Sequence, residues 1–186
     1  MIKQLLYYFA FIIIIIFFVG YKKINDSSKL KTTYINPSYM INMNIPEELV
    51  AISTNVFVGY VEGLIDTYYM SSIPYTRYKI RVVKNIKGEI ALDSTINLNK
   101  EGGISEDGSR YILIKNDYLP SVGNYYIFCT RENLTDKSYT ASGINTNILI
   151  DKINLENEYE KINKSSVYNR YVKAVENQVE IDIDIK

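Results

Sequence analysis

The chain contains no histidine, no tryptophan and a single cysteine, Cys129. Without imidazole there is no base to activate Cys129 as a nucleophile, and a histidine–cysteine zinc site is excluded. One cysteine permits no internal disulfide, so an exported domain would have to be held by packing alone. Net charge is missing as well, since 21 acidic residues balance 21 basic ones. Phosphate binding shows as clustered positive charge, so nucleic acid is not an expected partner. No cofactor is expected, and no catalytic, metal or nucleotide motif stands out.

Charge is also absent from Leu5 to Tyr21, LLYYFAFIIIIIFFVGY, which carries five consecutive isoleucines. As a helix this run is roughly 26 Å long, close to the ~30 Å hydrocarbon core of a bilayer. It predicts one transmembrane anchor over residues 5–21 behind a short tail, 1–4. A buried core helix is the competing reading, but such helices seldom lack polar positions for so long. A cleaved signal peptide would end in small residues, whereas this run ends in Phe17, Phe18, Val19, Gly20 and Tyr21. A lipoprotein anchor would need a cysteine just beyond the run. For orientation, the lysines at 22, 23, 29 and 31 outnumber Lys3 and, read literally, keep the body in the cytoplasm. The layout of short tail, single apolar helix and long body is that of an uncleaved signal anchor, and export is the expectation.

Residues 22–44 are polar, follow neither structural period, and read as a linker. Pro46, Glu47 and Glu48 suit the first turn of a short helix. NVFVGYVEGLID, Asn55 to Asp66, has apolar residues on both alternating faces and predicts a strand buried on both sides; Gly59 and Gly63 lie on one face, where a bend or close crossing is possible. In Tyr75 to Lys84, Tyr78, Ile80 and Val82 alternate with Arg77, Lys79 and Arg81, the pattern of a half-buried antiparallel strand. Further strands are predicted at 90–99, 110–115, 124–130, 138–142 and 147–151. About seven strands with close turns predict a mainly β meander or barrel over residues 45–152. In 153–180, the stripe of Leu155, Tyr159 and Ile162 lies opposite that of Val167, Tyr171, Val175 and Val179. This predicts two helices or one sharply broken at Asn163 to Ser166, with a serine as cap. The final IDIDIK, 181–186, reads as a tail or an edge strand.

Three segments, YKIRVVKNIKG (Tyr78 to Gly88), EGG (Glu101 to Gly103) and VGNYYIF (Val122 to Phe128), resemble those of small membrane-anchored surface proteins of Gram-positive bacteria. The resemblance spans roughly Val50 to Asp151. It implies a small antiparallel OB-like barrel, similar also to the netrin-like domain of tissue inhibitors of metalloproteinases, with C-terminal helices and a cell-surface location. Its motifs are structural rather than chemical. Inhibitors with the netrin-like fold use an N-terminal cysteine on a catalytic zinc and paired cysteines in the barrel. This chain has neither, and inhibition by that route is not implied.

Tyr75, Arg77, Lys79 and Arg81 form a positive, partly aromatic strand face, the candidate ligand-binding residues for an anionic wall polymer or oligosaccharide. An ordinary solvated strand face is the plainer reading of the same residues. Glu101, Glu106 and Asp107 do not follow calcium-loop spacing and read as a solvated turn. Cys129 reads as a core cysteine. The expected function is a non-enzymatic, membrane-anchored binding or interaction module whose partner is an envelope protein or a wall polymer. The alternative is an envelope carbohydrate hydrolase working through carboxylates that the sequence does not single out.

Overall fold

The computed structural model describes residues 30–150 and 157–181. The predicted tail and anchor at 1–21, the first eight residues of the predicted linker, 22–29, residues 151–156 with Leu155 of the predicted helical stripe, and the last five residues, 182–186, lie outside the described residues. Among the described residues, no helix is long and apolar enough to cross a membrane.

The described chain is mainly β. In order it forms β1 (Lys31–Ile35), α1 (Pro46–Ile52), β2 (Asn55–Met70), β3 (Ile73–Lys87), β4 (Thr95–Glu101), β5 (Gly103–Ile104) and β6 (Arg110–Ile114). Then follow β7 (Tyr125–Asn133), β8 (Ser138–Ala141), β9 (Asn147–Leu149), α2 (Glu158–Lys164) and α3 (Ser166–Glu176). The strands β2, β3, β4, β8 and β7 pair in that order, and β7 pairs back to β2, which makes a near-closed ring with β9 added beside β7. A second, smaller sheet runs β1–β6–β5.

The sheets are mixed, not uniformly antiparallel as the sequence suggested. Leu98, Asn99 and Lys100 of β4 run parallel to Tyr139, Thr140 and Ala141 of β8, while the other ring pairs are antiparallel. The reason is arithmetic: strand direction cannot alternate around a ring with an odd number of members, so one neighbouring pair must be parallel.

Two apolar clusters flank the ring wall. Phe57, Val61, Tyr78, Ile80, Val82, Leu98, Tyr126 and Phe128 fill the inside. Val56, Val58, Val83, Tyr125, Ile127 and Cys129 face outward and are covered by Leu49, Val50, Ile162, Tyr168, Tyr171 and Ala174 of the three helices. This covering is why the first half of β2 carries apolar residues on both faces. Its second half does not follow the expected burial: from Gly63 to Met70, β2 pairs with β3 alone, and Leu64 and Ile65 are exposed. Register shifts at Val58/Gly59, Val61/Gly63 and Leu64/Asp66 coil this long hairpin. The two glycines differ: a Cβ on Gly59 would meet Ile80 Cγ2 at 2.5 Å, whereas Gly63 faces open space.

Three further local expectations are corrected. The stretch read as linker includes β1, tied to the end of β6 by Lys115 N–H donating to Ile35 O at 2.9 Å, and it contributes the buried Met43. The strand predicted from 90 begins at Thr95, because Asp93 takes a left-handed turn (φ 56°). Tyr159 is exposed, and Glu158 is buried in its place. The helix break falls as the phase slip suggested, with Ser165 accepting from Tyr168 N–H at 3.4 Å as the cap of α3.

Candidate functional site

Alternation in β3 sends Thr76, Tyr78, Ile80 and Val82 inward and leaves Tyr75, Arg77, Lys79 and Arg81 on the outer face. A two-residue turn, Ser71 and Ser72, both with positive φ, folds β2 back on β3. The resulting register sets Tyr68 opposite Tyr75 and Asp66 opposite Arg77. The rings of Tyr68 and Tyr75 stack with centroids 5.4 Å apart and planes 20° apart. The Arg77 guanidinium lies 5.2 Å from the centre of Tyr68 and its Nε is 3.2 Å from Asp66 Oδ1. Tyr75, Tyr68 and Arg77 therefore form one layered stack across the two strands.

Each predicted cation meets an acid. Arg77 pairs with Asp66, Lys79 approaches Glu62 at 3.7 Å, and Arg81 binds Glu158 at 2.7 Å and Asp93 at 3.3 Å. The face is thus zwitterionic rather than positive. Of the four predicted residues, the structure gathers Tyr75 and Arg77 through Tyr68, and Lys79 stands next along the strand. Arg81 instead lies against α2, where its guanidinium also sits 5.5 Å from the centre of the Tyr60 ring.

The β7–β8 turn, residues 134–137, borders the stack. Asp136 Oδ1 accepts from Ser138 N–H at 2.9 Å and from its hydroxyl at 2.7 Å; these bonds, with a smaller contribution from Arg77, hold its carboxyl below the usual range. Ser138 Oγ accepts from Asn99 Nδ2 at 3.1 Å, and Asn99 is paired with Arg77 across β3 and β4. Asn99 Oδ1 is buried without a protein partner. Sequence reasoning missed Tyr68, Asp66, Asn99 and Asp136. Ser71-Ser72 lacks the Asn-Gly signature of such a turn, so the register that joins them was not marked.

A second polar centre is enclosed. Lys100 is wholly buried at the end of β4, and the side chain of Asp117, in the loop after β6, is 3% exposed. The Lys100 Nζ lies 2.6 Å from Asp117 Oδ2 and donates to Gly143 O at 2.7 Å and Thr146 Oγ1 at 2.8 Å. Burial pushes the Lys100 amine down and the Asp117 carboxyl up, and each charge partly offsets the shift of the other. Sequence reasoning gave neither residue a role.

Cys129 is buried in β7, and burial pushes its thiol up, consistent with a packing role. Among the described residues, no group of three or more acidic or cysteine side chains is placed to hold a metal ion. Asp107 instead closes its own turn: hydrogen bonds from the hydroxyl of Ser105 and from Ser109 lower its carboxyl to about 2. No protein-family model matches the chain, and no curated protein matches it.

Proposed function

We propose that the chain is a non-enzymatic binding module, anchored in a bacterial membrane by residues 5–21 and exported to the cell surface, which holds an extended envelope oligosaccharide on the outer face of β2, β3 and β4. The observation that carries this reading is the Tyr75–Tyr68–Arg77 stack beside hydrogen-bonding groups that include the unpartnered Asn99 Oδ1. An aromatic stack beside fixed polar groups suits a sugar chain, which offers apolar ring faces and hydroxyls together. Because Asp66 and Glu62 offset Arg77 and Lys79, stacking and hydrogen bonds outweigh net charge as the basis of recognition.

The ring order supports the same reading. It is similar to the OB-fold: three consecutive strands, a fourth beside the first, and a fifth parallel to the third. Such barrels bind oligosaccharides across their second and third strands, between the first hairpin loop and the loop joining the last two strands. The equivalent places here are β3 and β4, flanked by the Ser71–Ser72 turn and residues 134–137.

A hydrolase would need an acid with a raised pKa facing an open cleft. Asp117 has the raised carboxyl but is sealed beside Lys100, and Glu158 is held by Arg81. The test is calorimetric titration of the full chain in detergent with solubilised wall polysaccharide at low and high salt. Binding that survives salt and is weakened in Tyr75→Ala supports the reading. Unaltered binding in both Tyr75→Ala and Tyr68→Ala, or no binding to any wall polysaccharide, would sink it. Protease treatment of protoplasts tests the location: digestion of the body is expected, and full protection would contradict export.

A further inference from the structure

We propose that the folded chain forms a covalent amide between Lys100 Nζ and Asp117 Cγ, condensing the two side chains with release of one water. The geometry carries the inference. Nζ has three close neighbours, and two of them, Gly143 O at 2.7 Å and Thr146 Oγ1 at 2.8 Å, are acceptors that take the two N–H bonds of a neutral amine. The third neighbour is the Asp117 carboxyl, with Oδ2 at 2.6 Å. Despite this distance, Oδ2 accepts no hydrogen bond of normal geometry. The amine thus stands directly beside the carboxyl group.

The surroundings favour the neutral pair that condensation requires. Two opposite charges in a dry interior lose their hydration, and transfer of one proton over 2.6 Å turns ammonium and carboxylate into amine and acid. Burial acts in that direction on both groups. The Nζ lone pair then attacks Cγ. Asp117 Oδ1 takes up the negative charge of the tetrahedral intermediate, where Tyr118 N–H already donates to it at 2.9 Å. The Cγ–Oδ2 bond breaks, Oδ2 leaves with its own proton and one from the nitrogen as water, and no oxidant or further reactant is needed. Holding both groups in one enclosed place supplies the effective concentration that free lysine and aspartate lack.

The product would tie the end of β4 to the loop after β6, fastening the β1–β6–β5 sheet to the ring. A chain with one cysteine has no disulfide for that task, and this bond would restrict the unfolded chain in the same manner.

Intact-mass spectrometry of the purified full chain in detergent, followed by peptide mapping, tests the proposal. The expected result is a mass lower than the sequence mass by one water, retained after denaturation, with a branched peptide joining Lys100 to Asp117. Lys100→Arg should show the full mass of its own sequence. The wild-type measurement decides without depending on whether that variant folds. Recovery of the full wild-type mass with the two peptides separate, a water lost without the branch, or the same loss in Lys100→Arg would overturn it.

Discussion

Arg81 of β3 and Glu158 of α2 meet in a two-pronged ion pair, Nη2 to Oε2 at 2.7 Å and Nη1 to Oε1 at 3.2 Å, and the Tyr125 hydroxyl donates to the same Oε2 at 2.5 Å. One carboxylate so joins a ring strand, a second ring strand and the helical layer. Burial alone would raise the Glu158 carboxyl, but the bonds from Arg81 and Tyr125 together outweigh it and leave it below the ordinary 4.5. A carboxyl whose folded pKa is depressed stabilises the protein above its unfolded value, and that contribution fades as pH falls through the folded value.

Glu158→Gln should therefore cost about 2 kcal/mol near neutral pH, since the guanidinium and the phenol lose a shared acceptor in a mostly buried place. In urea denaturation, the gap between variant and wild type should narrow once pH drops below 4.5. A gap that stays constant into acid would show that the carboxylate does not link the layers.

Gly59 and Gly63 lie four apart on one strand but predict opposite responses. Gly59→Ala would place a methyl against Ile80 Cγ2 and the Phe128 ring, an overpacking that costs about 1–3 kcal/mol. Gly63→Ala meets nothing within 4 Å and should change stability by only about 0.5 kcal/mol. Thermal melts of the two variants check this, and equal losses would contradict the packing at Gly59.

The Cys129 thiol should be inert to an aromatic disulfide reagent in the native protein and should react fully in denaturant, because it is buried and its ionisation is suppressed. Fast native labelling would mean that β7 opens readily beneath the helices.

Tyr75→Ala and Tyr68→Ala should each weaken polysaccharide binding about tenfold, whereas Lys79→Ala should change it little. The three are partly or largely exposed, so circular dichroism should show the fold retained. A greater loss in Lys79→Ala than in either tyrosine variant would shift the explanation toward net charge.

Local pattern made much of the fold legible. The alternation in Tyr75 to Lys84 and the phase slip at Asn163 to Ser166 depend only on which side of a strand or helix each side chain leaves. The candidate face was half legible for the same reason: Tyr75 and Arg77 are two apart and share a side, but Tyr68 and Asp66 come from a strand whose register depends on the Ser71–Ser72 turn. β1 went unread because a five-residue strand of one lysine, two adjacent threonines, a tyrosine and an isoleucine carries too little pattern to distinguish it from polar linker.

By itself the sequence determined the strand-rich class, the helix break and the absence of histidine-dependent chemistry, since these follow from residue type and short spacing. Tertiary structure alone decided that Arg81 answers Glu158 and that Lys100 is sealed against Asp117. Those partners are 77 and 17 residues apart in the chain. Charge carries no information about which distant opposite it will meet, and burial, which sets how strongly the two interact, exists only after the ring and its covering layers have closed.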